Sequence, residues 1–398
     1  FKLSRFKPVE ALKSKVSKES FGGITLRKGL VVSQFVIAQA LIIGAIITIN
    51  QLDFMRNKDL GFAKDLIVTF GMSADKASLT KQTALKQNLL QIPEVEKVSF
   101  SSDQPISGNT WSSNFSYSSR PEDEEFSIST KFTDEHYAET YGLELLAGKW
   151  LAPSDTMRNC VVNMTLLRKL GITDPNEAVG QYITLGQQNK LPIVGVTKDF
   201  HTHSLHAEHE PLMMSTRKEY YWEAGVKIRP DRVEATMAAI KNVYDQLLPE
   251  QIFNGRFLDE SIVRFYEDDV RISATCKGFG LLAILISCLG LFGLATHAAN
   301  QRIKEIGIRK VLGASVPGIV GLLSKDFLGL VLVALVLAGP LAYLAMSEWL
   351  NNFQFRIDIN WSVFVVAGLL ALLIAFLTVS YQAVRAAMSN PIKALKSE

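Results

Sequence analysis

Apolar residues in this chain gather into four long runs, while the stretch between the first two carries shorter, mixed patterns. Residues 29–50 hold no formal charge, and comparable runs cover about 276–299, 327–346 and 361–384. Each is long enough to cross a hydrocarbon layer of ~30 Å as a helix rising ~1.5 Å per residue. Pro340 falls inside the third run, where neighbouring spans can re-satisfy the carbonyl it frees. The fourth opens at Trp361 and closes near Tyr381 and Arg385, side chains suited to the membrane boundary. The first run is too long for a signal peptide and follows the basic segment 1–28, so it reads as a span.

Between the first and second runs the period changes. Residues 65–70 (DLIVTF) and 95–101 are strand-like and flank a helical pattern over 79–90. A second strand–helix–strand set covers 224–228, 232–248 and 253–258. Two such units around an insertion predict a split ferredoxin-like module. Shorter strands are expected at 125–132, 160–163, 182–185 and 192–196. After Asp259, ESIVRFYEDDVRIS places Ile262, Phe265 or Tyr266, Asp269 or Val270, and Ser273 at helical spacing. This predicts a stalk running unbroken into the second span, with 52–60 extending the first. The fold class expected is an α+β membrane protein: four transmembrane helices, and a large extracytoplasmic α+β domain between helices 1 and 2.

Composition supports spans over a large soluble core. Hydrophobic residues make up 48% of the 398 while charged ones make up 20%, and mean hydropathy is +0.15. A net charge of +3 gives no reason to expect nucleic acid. Three cysteines are too few for a disulfide framework; Cys276 and Cys288 lie in an apolar run, and Cys160 sits alone in NCVVN. Lys and Arg set the orientation. Segment 1–28 carries eight of them, the 300–315 loop has Arg302, Lys304, Arg309 and Lys310, and the tail has Arg385, Lys393 and Lys396. The loop between the third and fourth spans has only Arg356. Both termini and the 300–315 loop are therefore expected in the cytoplasm, with 51–271 outside it.

The 301–315 segment, QRIKEIGIRKVLGAS, is charged and amphipathic. Glu305 and Arg309 stand four apart in the favourable order, Ile303, Gly307 and Val311 share a face, and Gly313 stands where a C-cap glycine belongs. Spacing alone leaves two readings, a solvated basic loop or a surface-contacting helix. The wording resembles the cytoplasmic loop through which FtsX-like and MacB-like ABC transporter permeases meet their ATPase. The likeness extends along the chain. YGLELLAGKWL, CVVNMTLLRKLG, AVGQYI and IVGVTKDFHTHSL resemble the MacB-like periplasmic core domain. LLSKDFLGLVLVALVLAGPLAY, FRIDINW and LTVSYQAVRAAMSNPIKALKSE resemble an FtsX-like permease domain.

That resemblance implies a cytoplasmic N-terminal segment 1–28 and a first transmembrane helix 29–51. It implies a periplasmic core 52–271, porter-like over 61–101 and 222–260 with a mainly-β subdomain inserted at 102–221. The permease domain follows at 272–398, with spans at about 276–299, 320–346 and 361–385 and a coupling helix at 301–315. It implies a multi-pass protein of the bacterial inner membrane, a subunit of a type VII system. An ABC ATPase subunit and a second permease unit would complete the core, with a periplasmic adaptor, outer-membrane factor or lipoprotein and the membrane lipids as further partners. The ATPase-coupling residues implied are Arg302, Lys304, Glu305, Ile306, Gly307, Arg309, Lys310, Val311 and Gly313. In that reading Ile303, Ile306 and Val311 give apolar contact, bare Gly307 admits a close approach, and Arg309 and Lys310 meet carboxylates. Movement or efflux of a peptide, lipoprotein or hydrophobic molecule is the expected activity. The alternative is a regulator of a cell-wall hydrolase that moves no cargo.

Other chemistry is sparse. No G-x-x-x-x-G-K-[ST] occurs, and Gly148-Lys149-Trp150 lacks both the upstream glycine and the hydroxyl residue. ATP hydrolysis is expected in a separate chain, and no catalytic residue, cofactor or metal is assigned here. His201, His203, His206 and His209 lie close together near Asp199 and Glu210, but read as surface histidines of a loop. Lys325 and Asp326 begin the third span at its hydrated edge, and His297 reads as interfacial. Residues 8–15 (PVEALKSK) echo 391–398 (PIKALKSE), an offset of 391 − 8 = 383. The echo suggests that 1–15 are the tail of a preceding unit in an eight-span tandem, the other option being a homodimer.

Overall fold

The computed structural model describes residues 21–388 except 110, 119, 121, 187 and 188, so the terminal echo lies outside the described residues. The chain opens with helix α1 (Phe21–Asn57). Strand β1 (Ile67–Gly71), helix α2 (Lys76–Leu90) and strand β2 (Val95–Ser101) follow. Next come β3 (Trp111–Ser113), β4 (Phe115–Tyr117), β5 (Ile128–Phe132), β6 (Leu145–Gly148), β7 (Cys160–Asn163), β8 (Tyr182–Leu185), β9 (Asn189–Thr197) and β10 (Leu212–Ser215). Then β11 (Glu223–Ile228), α3 (Val233–Leu247) and β12 (Arg256–Phe257) return the chain toward helix α4 (Glu267–Gln301). The short α5 (Ile303–Val311) and the long α6 (Val316–Leu350) and α7 (Ser362–Ala387) complete it. Two compact units result: residues 54–268 with 352–355 form one, and the rest, containing most of α1 and α4–α7, the other.

The α+β unit is built on the four-stranded order β12-β1-β11-β2, with β1 antiparallel to both neighbours. That is the order a split ferredoxin-like module requires. Asp75 caps α2 by accepting from Ser78 N at 2.8 Å. Leu85 and Leu89 of α2, and Ile240 and Tyr244 of α3, bury against Val68, Phe70, Val98 and Val226 of the sheet. β12 is shorter than the 253–258 pattern suggests because Asn254 Oδ1 takes the Gly71 N–H at 3.0 Å, which ends the ladder. The insertion is an eight-stranded sheet among the described residues, in the order β3-β5-β10-β7-β9-β8-β4 with β6 on β9. All four residues of β10 (LMMS) are buried, so it shows no alternation to find in the sequence.

Among the described residues the membrane unit holds four helices long and apolar enough to span a bilayer. α7 buries Val363, Ala367, Ala371, Ala375, Val379 and Ala383, one residue in four, and α6 buries Ala334, Ala338 and Ala342. Leu337, Leu341, Leu369 and Leu373 are exposed on the same helices. With no hydrophobic force between helices in lipid, small residues let the backbones approach while leucines face the tails. Gln39 Nε2 donates to Val331 O at 3.1 Å, tying α1 to α6 across the apolar layer.

The expected unbroken stalk is corrected. A helix over Leu258–Arg264 stops at Phe265, and α4 begins anew at Glu267. The break lies where Tyr266 is buried and its hydroxyl accepts from Leu205 N at 2.9 Å, an arrangement fixed by the fold of the α+β unit.

Candidate functional site

α5 is a separate short helix between two 35-residue helices. Arg309 and Glu305 pair at 2.8 Å, as their spacing predicts. The helix ends at Gly313, whose φ of +91° suits glycine. Gly313 N donates to Lys310 O at 3.1 Å and Ala314 N to Arg309 O at 2.9 Å, a double closure of the last turn. Ser315 then caps α6 by accepting from Gly318 N. With a capped end on each side, the connection is a tight corner.

The inward face of α5 differs from expectation. Ile306 is 5% exposed and packs with Ile319, Val320 and Leu323 of α6 and Ala383 of α7. Gly307 is buried as well. Ile306 thereby seats α5 on α6 and α7. The exposed apolar side chains are Ile308 and Leu312, at 53% and 81%. They lie on the other side of the helix, a face the Ile303–Gly307–Val311 spacing does not reveal. Arg302 is held by Asp326 at 3.2 Å, while Glu305 and Arg309 are half exposed. The side chains of Ile303, Lys304 and Val311 lie outside the described residues.

The histidine loop is not the free surface the sequence suggests. His201 is 5% exposed. Its ring lies 4.3 Å from that of His209 and 4.7 Å from Phe355, which meets it edge-on. His206 stacks on Phe353 at 4.1 Å, and its Nδ1 lies 2.9 Å from Asn352 O. Phe355 N donates to Leu205 O at 3.1 Å, and Gln354 Nε2 to Glu208 Oε1 at 2.9 Å. Residues 352–355 are thus gripped by the 201–209 loop. Burial, reinforced by His209 and Lys58, holds the His201 imidazole at about 4, below its usual range. His203 Nε2 instead meets Glu210 at 3.2 Å. Among the described residues, no group of three or more His, Cys, Asp or Glu is placed to hold a metal. Sequence reasoning misses Phe353 and Phe355 because nothing local marks a partner some 150 residues away.

Two family models match the chain. The MacB-like periplasmic core domain model matches residues 30–243, and the FtsX-like permease C-terminal model matches 277–391. An uncharacterised ABC transporter permease of Methanocaldococcus jannaschii is 22% identical over 295 residues, covering 69% of this chain and 73% of that relative. Among solved structures, the periplasmic region of MacB from Actinobacillus actinomycetemcomitans is 12% identical; the match covers 53% of this chain and 97% of that one, with a TM-score of 0.37. The extracellular domain of the noncanonic ABC-type transporter YknZ from Gram-positive bacteria is 16% identical, at 48% and 98% coverage and a TM-score of 0.34.

Proposed function

The chain belongs to the ABC transporter permeases that join a MacB-like periplasmic core domain to an FtsX-like permease domain, and we propose that α5 is its coupling helix to the ATPase. In this reading the chain hydrolyses nothing itself. A separate ATPase pushes on α5, and the membrane helices carry the motion to the periplasmic domain, which moves or extrudes a periplasmic or outer-leaflet substrate. A second permease unit, in tandem or as a homodimer, completes the membrane core.

One observation carries the reading: Ile306 is sunk among residues of α6 and α7 while Ile308 and Leu312 remain exposed. A helix seated on two spans, with its C-terminal end closed at Gly313 and joined to the Ser315 cap of α6, passes a displacement to them as a rigid body, where a floppy loop would absorb it. Its outward face offers apolar contact at Ile308 and Leu312 and charge at Glu305 and Arg309. The test is to purify the full chain from native membranes and assay co-purified ATPase. Leu312→Asp and Ile308→Asp are expected to lose the ATPase yet insert normally. Ile306→Asp, which buries a charge, is expected to cost the permease unit its fold. Normal ATPase retention by both outward variants would overturn the coupling role.

A further inference from the structure

A cleft of about 210 Å³ opens where α1, α4 and α6 approach the level of α5. Its position matches the membrane boundary on all three helices. Lys28 opens the apolar stretch of α1, Gln301 closes α4, and Asp326 directly precedes the charge-free run 327–346 of α6. The lining is divided. Lys28, His297, Gln301 and Arg302 supply polar groups, while Leu294, Phe327 and Leu330 form an apolar wall. Arg302 is neutralised by Asp326 at 3.2 Å, and Gln301 Nε2 lies 3.1 Å from His297 Nε2. Arg302 takes the Asp326 carboxylate, so among the described residues Lys28 is the cation of the cleft without an ion pair.

We propose that this cleft holds the phosphodiester headgroup of an anionic phospholipid from the leaflet on the α5 side. Lys28 supplies the charge. Arg302, His297 and Gln301 supply hydrogen-bonding groups around the phosphate, and the apolar wall meets the upper part of an acyl chain. Basic clefts between spans at the membrane boundary suit anionic headgroups, because the field is weakly screened there and the tails need no water-filled path. An adjoining α5 gives the site a consequence: a headgroup bridging Lys28 of α1 and Arg302 at the start of α5 ties the first span to that corner. The proposal rests on the membrane placement of these helices, not on α5 meeting an ATPase, which has its own test.

The experiment uses the full chain purified in a neutral detergent. Native mass spectrometry and thermal unfolding are followed on adding dioleoyl phosphatidylglycerol, dioleoyl phosphatidylcholine, glycerophosphoglycerol or inorganic phosphate. The expected result is saturable retention of phosphatidylglycerol with a raised midpoint, at least tenfold weaker affinity in Lys28→Glu and Lys28→Gln, and no change in Lys277→Glu, which removes an exposed cation elsewhere on α4. Equal binding of phosphatidylcholine would overturn the anionic headgroup. Equal stabilisation by inorganic phosphate or glycerophosphoglycerol would make this a free-anion site and not a lipid site. Unchanged affinity in both Lys28 variants, or equal loss in Lys277→Glu, would remove the cleft as the binding place.

Discussion

Phe353 and His206 stack at 4.1 Å between ring centroids, although 146 residues separate Asn352 from the imidazole it also meets. Phe353 is 1% exposed and joins α6 to α7 in sequence, yet it packs within the α+β unit. Phe353→Ala is expected to cost that unit about 3 kcal/mol or more, the usual scale for emptying a buried aromatic site. Hydrogen exchange is the measurement: amides of 203–206 and 353–355 should lose protection together. Exchange rising at 353–355 alone would contradict the stacking as a shared element.

His201 makes stability pH-dependent in a defined direction. Its imidazole is held near 4 in the folded chain, while an unfolded chain protonates near 6.5. Between these values the unfolded state binds more protons, so this contribution is fully present above about pH 6.5 and is lost as pH falls toward 4. Asp134 and Glu223, whose carboxyls burial pushes up, act in the opposite sense, so the difference between variants is the informative quantity. Unfolding midpoints of wild type and His201→Asn should converge as pH drops from 7 to 4. Parallel curves across that window would count against the buried neutral histidine.

Two sequence signatures are explained by one close approach. Gly148 and Gly195 are register partners of β6 and β9. A Cβ on Gly148 would lie 2.2 Å from Val194 O, and one on Gly195 would lie 2.3 Å from Lys149 O. Gly148 also sits at φ +72°. Either Gly148→Ala or Gly195→Ala is expected to destabilise the inserted sheet by about 2–4 kcal/mol, as backbone atoms cannot yield cheaply. Limited proteolysis of the detergent-solubilised chain should show faster cleavage within 145–197; wild-type resistance in both variants would refute the contact.

Orientation is testable by labelling. In a background lacking Cys160, Cys276 and Cys288, a membrane-impermeant maleimide added to spheroplasts should modify Ser113→Cys and miss Ser315→Cys. Both positions are exposed. Labelling of Ser315→Cys from outside would invert the proposed topology.

The sequence alone determined what local periodicity and charge can encode. The four apolar runs, the Glu305–Arg309 pair, the Gly313 cap and strands such as 160–163 depend on residues within a few positions of one another. The two strand–helix–strand units also announced the split module. Tertiary structure decided everything that depends on which distant surfaces meet. The edge strands β3 and β4 are only three residues long and the fully buried β10 shows no alternation, so their pairing partners define them. Ile306 and Ile308 are the same residue type two positions apart, and only the seating of α5 against α6 and α7 makes one core and the other surface. The histidine loop became a packed socket for the same reason. A side chain's exposure is set by what packs over it, and for His201 and His206 that is Phe355 and Phe353, from the far end of the chain.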